Sequence, residues 1–169
     1  GGNGMVGRNI QEVLASLSNM QVFAPARAQL DLSCYSSVLG YMKQHQPDFI
    51  IHAAGRVGGI QANMANPVEF LVENLDIGRN VIMAAREAGI KKLLNMASSC
   101  MYPAHAESPL AENLILTGAL EPTNEGYAIA KIVSTRLCEY ISRSDSSFKY
   151  KTMVPCNLYG RHDKFDPKH

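Results

Sequence analysis

Asp48-Phe-Ile-Ile-His-Ala-Ala-Gly-Arg-Val-Gly-Gly-Ile60 decides how this chain folds. Its first seven residues, Asp48 to Ala54, form a near-continuous apolar run, the composition of a parallel strand covered on both faces rather than of one with a wet face. Gly55 to Ile60 follow at the carboxyl end of that strand, too rich in glycine to be only a helix start, and read as a backbone surface near a bound cofactor. A helix is predicted from Pro67 to Ala88, stopped by Gly89, with Phe70, Leu71, Leu75, Ile77, Val81, Ile82 and Ala85 as its apolar set. So wide an apolar face suits a sheet on one side and a partner subunit on the other. His52 reads as a hydrogen-bonded core histidine rather than a ligand.

Working outward, the same alternation repeats. Lys91 to Ala97 is a buried strand leading into Ser98-Ser99-Cys100-Met101-Tyr102-Pro103. Ala104 to Asn124 carries two prolines and little periodicity, and reads as a long loop that covers a substrate. A helix bearing Tyr127 runs to about Ser142 with Ala130, Val133, Leu137 and Ile141 as its buried stripe, and Lys149 to Pro155 is the last strand. Toward the start, Ser36 to Gln44 is helical through Val38, Leu39 and Met42, and Met20 to Ala24 reads as a short strand. Met5 to Leu17 is a helix whose Val6, Ile10, Val13, Leu14 and Leu17 would face the sheet. This order predicts an α/β fold with a doubly wound parallel sheet, one dinucleotide-binding domain over residues 1–169. A central strand is expected ahead of Gly1, and a substrate domain beyond His169.

Composition removes other classes. With 46% hydrophobic and 18% charged residues and a net charge of +1, the chain has the balance of a soluble globular protein and no basic block for nucleic acid. No apolar run is long enough to span a bilayer. Cys34, Cys100, Cys138 and Cys156 and the five histidines show no metal-ligand spacing, so neither a metal nor a disulfide framework is expected, and a reducing, cytoplasmic setting fits.

The chemistry sits in two stretches. Tyr127 and Lys131 lie four apart in a helical segment and so share one face, one turn apart. An ammonium beside a phenol, whose reference pKa is about 10, favours the phenolate and yields a proton donor matched to alcohol/ketone interconversion. Ser98 projects from the carboxyl edge of the sheet, where α/β folds place ligands, and can hydrogen-bond a carbonyl. At the other end, Gly1-Gly2-Asn3-Gly4-Met5-Val6-Gly7 spaces its glycines for a tight turn ahead of a helix, the arrangement that seats a pyrophosphate. The Met20 to Ala24 strand ends in Pro25-Ala26-Arg27 with no acid for the ribose hydroxyls, so Arg27 favours NADP(H) over NAD.

Ala54 to Ile60, Ser98 to Pro103, Leu120-Glu-Pro-Thr-Asn-Glu125, Tyr127-Ala-Ile-Ala-Lys131 and Asn157-Leu-Tyr-Gly160 run almost from end to end of the chain. Together they resemble the extended short-chain dehydrogenase/reductase family, and within it the branch that uses NADPH to epimerise GDP-4-keto-6-deoxy-D-mannose at C3 and C5 and reduce it at C4. The resemblance implies that Gly1, Gly4, Met5, Val6 and Gly7 hold the pyrophosphate, Asp31 and Leu32 the adenine, Arg27 the 2′-phosphate, and that Ala54 lines the cofactor. It implies Tyr127 and Lys131 as the catalytic pair, with Lys131 also on the nicotinamide ribose, Ser98 on the carbonyl, Cys100 as the epimerisation base, and Ser99 and Asn157 on the substrate. Asn3 and Pro25 replace basic residues common in the family, and the family's acid histidine aligns just past His169. The implied partners are a GDP-sugar and a second copy of the chain, packed through the 67–88 and 125–142 helices. A 4-epimerase of the same fold would use Ser98, Tyr127 and Lys131 equally well; Cys100 and Val57 to Ile60 argue for the first branch. A non-catalytic dinucleotide-binding protein is the third reading, against which all three catalytic side chains stand.

Overall fold

A computed structural model describes residues 1–164. Three strands, β1 (Ile50–His52), β2 (Lys92–Met96) and β3 (Lys149–Met153), pair in parallel in the order β1-β2-β3, with Ile50 opposite Leu93 and Leu93 opposite Tyr150. Five helices connect or flank them: α1 (Met5–Ala15), α2 (Tyr35–His45), α3 (Ile60–Ala65), α4 (Pro67–Glu87) and α5 (Glu125–Ser144). The expected α/β order is present, and the loop from Ala104 to Asn124 contains only a short 3-10 turn, Glu112–Leu114.

The boundaries follow local chemistry. Pro67 opens α4, where its missing N–H costs nothing. Gly89, at φ 76°, closes it: Gly89 N–H bonds to the Arg86 carbonyl and Ile90 N–H reaches back to Ala85, so a left-handed residue satisfies the last carbonyls. The core lies between the sheet and α2, α4 and α5, where Val38, Ile82, Leu93, Cys138, Ile141 and Tyr150 are buried together. Side chains such as Ile82 and Leu93, at 0% exposure, each contribute on the order of 1.5–3 kcal/mol by leaving water.

Two expectations fail on the other side of the sheet. Met20 to Ala24 is not a strand, because an extended segment needs an edge to pair with and no described strand lies beyond β1. For the same reason the α1 stripe is not a core stripe: Val13 is 66% exposed and Leu17 lies past the helix end. β2 buries Leu93 and Asn95 and half-buries Leu94 and Met96, while β3 buries Tyr150 and exposes Lys149, Lys151 and Met153. His52 is buried, as expected, and burial aided by Lys131 lowers its pKa to about 3, so it is neutral. Among the described residues no helix is long and apolar enough to cross a membrane, and no cluster suits a metal ion. His169 lies outside the described residues.

Candidate active site

Ser98 leaves the carboxyl end of β2 and caps the 3-10 turn Ser99–Met101: its Oγ accepts the Cys100 N–H at 3.3 Å. That bond fixes the direction in which Cys100 leaves the sheet. Tyr127, in the first turn of α5, has its phenol near enough to the Ser98 side chain for the serine to bear on its acidity. Lys131 follows one turn later and is only 8% exposed. Three of the predicted residues, Ser98, Cys100 and Tyr127, thus meet at one point, with Lys131 beneath them.

The electrostatics differ from the sequence expectation. Burial pushes the Tyr127 phenol up to about 12, Cys100 adds to the rise, and the nearby Ser98 side chain only partly opposes it. Lys131 does not lower the phenol, since its Nζ donates to the Met96 carbonyl at 3.0 Å and stands 5.6 Å from the centre of the tyrosine ring. Burial instead lowers Lys131 itself to about 8. At neutral pH the site therefore holds a protonated phenol above a buried ammonium.

That ammonium carries a stability cost with a definite sign. Its folded pKa lies below the usual lysine value, so between pH 8 and 10.5 the unfolded chain binds the additional proton and stability rises with pH. The cost is complete below about 8. We expect Lys131→Met to stabilise the cofactor-free protein at pH 7 by about 1–2 kcal/mol, the lost bond to Met96 limiting the gain, with the gain gone by pH 10.5. Urea unfolding at the two pH values measures it; a destabilised variant at pH 7 shows that Lys131 holds the fold.

In front of Tyr127 lies a cavity of about 120 Å³, between Val57, Gly58, Asn63 and Phe70 on one side and Cys100, Asn124 and Tyr127 on the other. The Gly55–Ile60 stretch thus borders this cavity. Four asparagines that periodicity did not single out shape the region. Asn74, buried on α4, accepts from Arg56 N–H at 2.9 Å and donates to the Arg56 carbonyl at 3.0 Å, pinning the turn after β1. Asn80, one and a half turns further, donates to the carbonyls of Leu32 and Ser33. Asn63 donates to the carbonyls of Gly58 and Gly59, leaving its Oδ1 buried without a partner. Asn124 precedes α5 but makes no capping bond; its Nδ2 donates to Cys100 Sγ at 3.2 Å, and its Oδ1 is also buried and unpaired. A buried unpaired oxygen costs about 1–3 kcal/mol and a forgone cap about 1 kcal/mol. The only available signal was polar residues at otherwise apolar or motif positions.

The glycine loop stands at the same edge of the sheet. Gly1 lies against the backbone just past β1, where a Cβ would come within 2.6 Å of Ala54 N, so only glycine fits. Gly4 N–H bonds to Gly1 O at 3.2 Å, and the first helical bond of α1 is Arg8 N–H to Gly4 O, so the amides of Met5, Val6 and Gly7 precede it. With Gly4 as an N-cap lacking a side chain, no side-chain bond caps that end, which fits a diphosphate. Gln11, another residue the motif did not name, donates to Gly2 O at 2.6 Å and fastens the loop to the helix.

The remaining predicted residues divide. Arg27 is exposed in the turn after Ala24. Asp31 is not a helix cap: α2 starts at Tyr35 with Cys34 before it, and Asp31 Oδ1 instead accepts from Ser33 N–H and Oγ, which holds its carboxyl below the usual range. Leu32 sits in the turn that Asn80 grips. Ser99 N–H bonds to Pro155 O, which brings the segment after β3 alongside the Ser98 turn. Asn157 lies exposed beyond it, and neither Ser99 nor Asn157 lines the cavity.

The model of the NAD dependent epimerase/dehydratase family matches residues 1–169. The chain belongs to that family. As an epimerase/dehydratase-family chain it is 56% identical over 166 residues to the GDP-L-colitose synthase of Yersinia pseudotuberculosis, covering 98% of this chain and 54% of that protein. It is 48% identical over 168 residues to the GDP-L-fucose synthase of Azorhizobium caulinodans, covering 99% and 53%. Its fold superposes with a TM-score of 0.94, at 31% identity, on the GDP-D-glycero-L-gluco-heptose synthase of Campylobacter jejuni solved in the presence of NADPH, covering 99% of this chain and 48% of that one. The chain spans about half the length of the curated relatives it matches. For an epimerase/dehydratase-family sheet the parallel strands set the geometry: Gly1 against Ala54, Ser98 after β2 and Asn157 after β3 all emerge at the carboxyl edge.

Proposed function

We propose that this chain carries the dinucleotide site and the catalytic group of an NADPH-dependent epimerase/reductase that converts GDP-4-keto-6-deoxy-D-mannose to GDP-L-fucose. The observation that carries the reading is the meeting of Cys100 and Tyr127 on one cavity, with Ser98 beside Cys100, the buried Lys131 one turn on from Tyr127, and a glycine loop without a side-chain cap at the same sheet edge. The ketone at C4 acidifies the hydrogens at C3 and C5; Cys100 removes a proton at a carbon beside it to give an enediolate, and return of a proton to the opposite face inverts that carbon. Ser98 hydrogen-bonds the ketone oxygen, Tyr127 protonates it on reduction, and Lys131 keeps positive charge beneath both. NADPH, when bound, supplies the hydride. Gly1, Gly4, Met5, Val6 and Gly7 hold its pyrophosphate, Asp31 and Leu32 its adenine, Ala54 its flank and Arg27 its 2′-phosphate; Ser99 and Asn157 touch the GDP-sugar.

The 56% identity to a GDP-L-colitose synthase favours a second reading, in which the substrate lacks the hydroxyl at C3. Presenting the full-length protein with NADPH and each keto sugar, and identifying products by NMR, separates them. GDP-L-fucose as the better-supported product upholds the first reading, preference for the 3-deoxy sugar upholds the second, and turnover of neither removes both.

The cofactor has its own test. Because Arg27 is exposed after a segment without an acid, Arg27→Ala should lower the NADPH-to-NADH ratio of kcat/KM by about tenfold, the loss of one charge-assisted contact. An unchanged ratio makes Arg27 a surface residue. The protein works as a cytoplasmic homodimer in this reading: Val68 and Val72 on α4, and Ile129, Val133 and Tyr140 on α5, leave apolar groups exposed on the two helices that a second copy would cover.

A further inference from the structure

We propose that Asn124 is a positioning residue of the proton-transfer half-reaction, holding the Cys100 sulfur through Nδ2. The inference deepens the epimerase/reductase reading and rests on it. Asparagine is a favoured residue just before a helix because its oxygen can accept an N–H of the first turn. Asn124 occupies that place before α5 and does not use it: its side chain makes no capping bond and turns to the cavity, where Nδ2 meets Cys100 Sγ at 3.2 Å. The cavity that Cys100 and Tyr127 line is thus bordered by the residue that grips the sulfur.

The pairing follows from where a base must stand. Cys100 has to reach within hydrogen-bond distance of the proton it takes from a ring carbon. Asn124 Nδ2 fixes the sulfur in that place from the start of α5, on the same cavity that Tyr127 lines.

The experiment separates proton transfer from hydride transfer in the full-length protein. Deuterium exchange from solvent into GDP-4-keto-6-deoxy-D-mannose reports the first, and NADPH oxidation with the already epimerised keto sugar reports the second. Asn124→Ser keeps a capping residue before α5 but is too short to reach the sulfur, and exchange should fall by about 10²-fold, the usual cost of a misplaced group, while reduction, which does not use the sulfur, falls far less. Asn124→Asp keeps a residue able to cap but replaces the N–H donor by a carboxylate, so the hold on the sulfur is lost and exchange should fall there too. Equal losses of both rates in both variants, as from a displaced Tyr127, overturn the proposal, as does wild-type exchange in either. If the wild-type protein itself neither exchanges nor reduces the sugar, the underlying epimerase/reductase reading is what has failed.

Discussion

Tyr127→Phe is expected to lower reduction of the keto sugar by 10²–10⁴-fold, the contribution of a positioned general acid, with little change in deuterium exchange at the ring carbons. The substitution keeps the ring that lies 5.6 Å from the Lys131 ammonium and removes only the phenol hydroxyl. Burial holds that hydroxyl protonated to about pH 12, so it is in its donor form throughout the working range. The group that titrates within reach is Lys131, at about 8. The rate of reduction should therefore fall as pH rises through about 8, when the positive charge beneath the site is lost, and should show no separate limb for tyrosine. Single-turnover NADPH oxidation across pH 6–10 tests both statements. A Tyr127→Phe enzyme that reduces at the wild-type rate would show that the proton comes from elsewhere.

The contrast between Tyr127 and Lys131 shows what a sequence can and cannot say here. The spacing of four puts the two on one helix face, and they are there, but the phenol moves up in pKa and not down. Proximity along a helix says nothing about where an ammonium points, and Lys131 points to the carbonyl of Met96 on a strand 35 residues earlier. The fold itself was legible where the signal was local: Pro67, Gly89 and the apolar run before Gly55 act through backbone chemistry that any neighbour of theirs would share. Met20 to Ala24 carried the composition of a strand without the edge that would make it one, since pairing is a property of two segments. The asparagines were illegible for a related reason. Asn63, Asn74, Asn80 and Asn124 act by gripping carbonyls or a sulfur distant in the chain or across a turn, and no periodicity marks them.

Cys100→Ser is expected to abolish deuterium exchange at C3 and C5 while leaving a slow reduction. The two side chains are close in size, and serine can still accept from Asn124 where the sulfur did, at 3.2 Å. What changes is acidity: a thiol has a reference pKa of about 8.5, within reach of a working base, whereas an alcohol does not ionise in this range. Ser98, Tyr127 and Lys131 stand on other contacts, with the Ser98 oxygen held by the backbone N–H of residue 100, which the substitution retains. The acid and the carbonyl contact thus survive the loss of the base. With NADPH the variant should convert GDP-4-keto-6-deoxy-D-mannose to a reduced sugar nucleotide that has kept its original configuration at C3 and C5. Product NMR in deuterated water reads both features at once, as absence of ring deuterium and as the stereochemistry of the product. Wild-type incorporation of deuterium by Cys100→Ser would place the base elsewhere and leave Cys100 as a half-buried thiol that only packs beside Ser98.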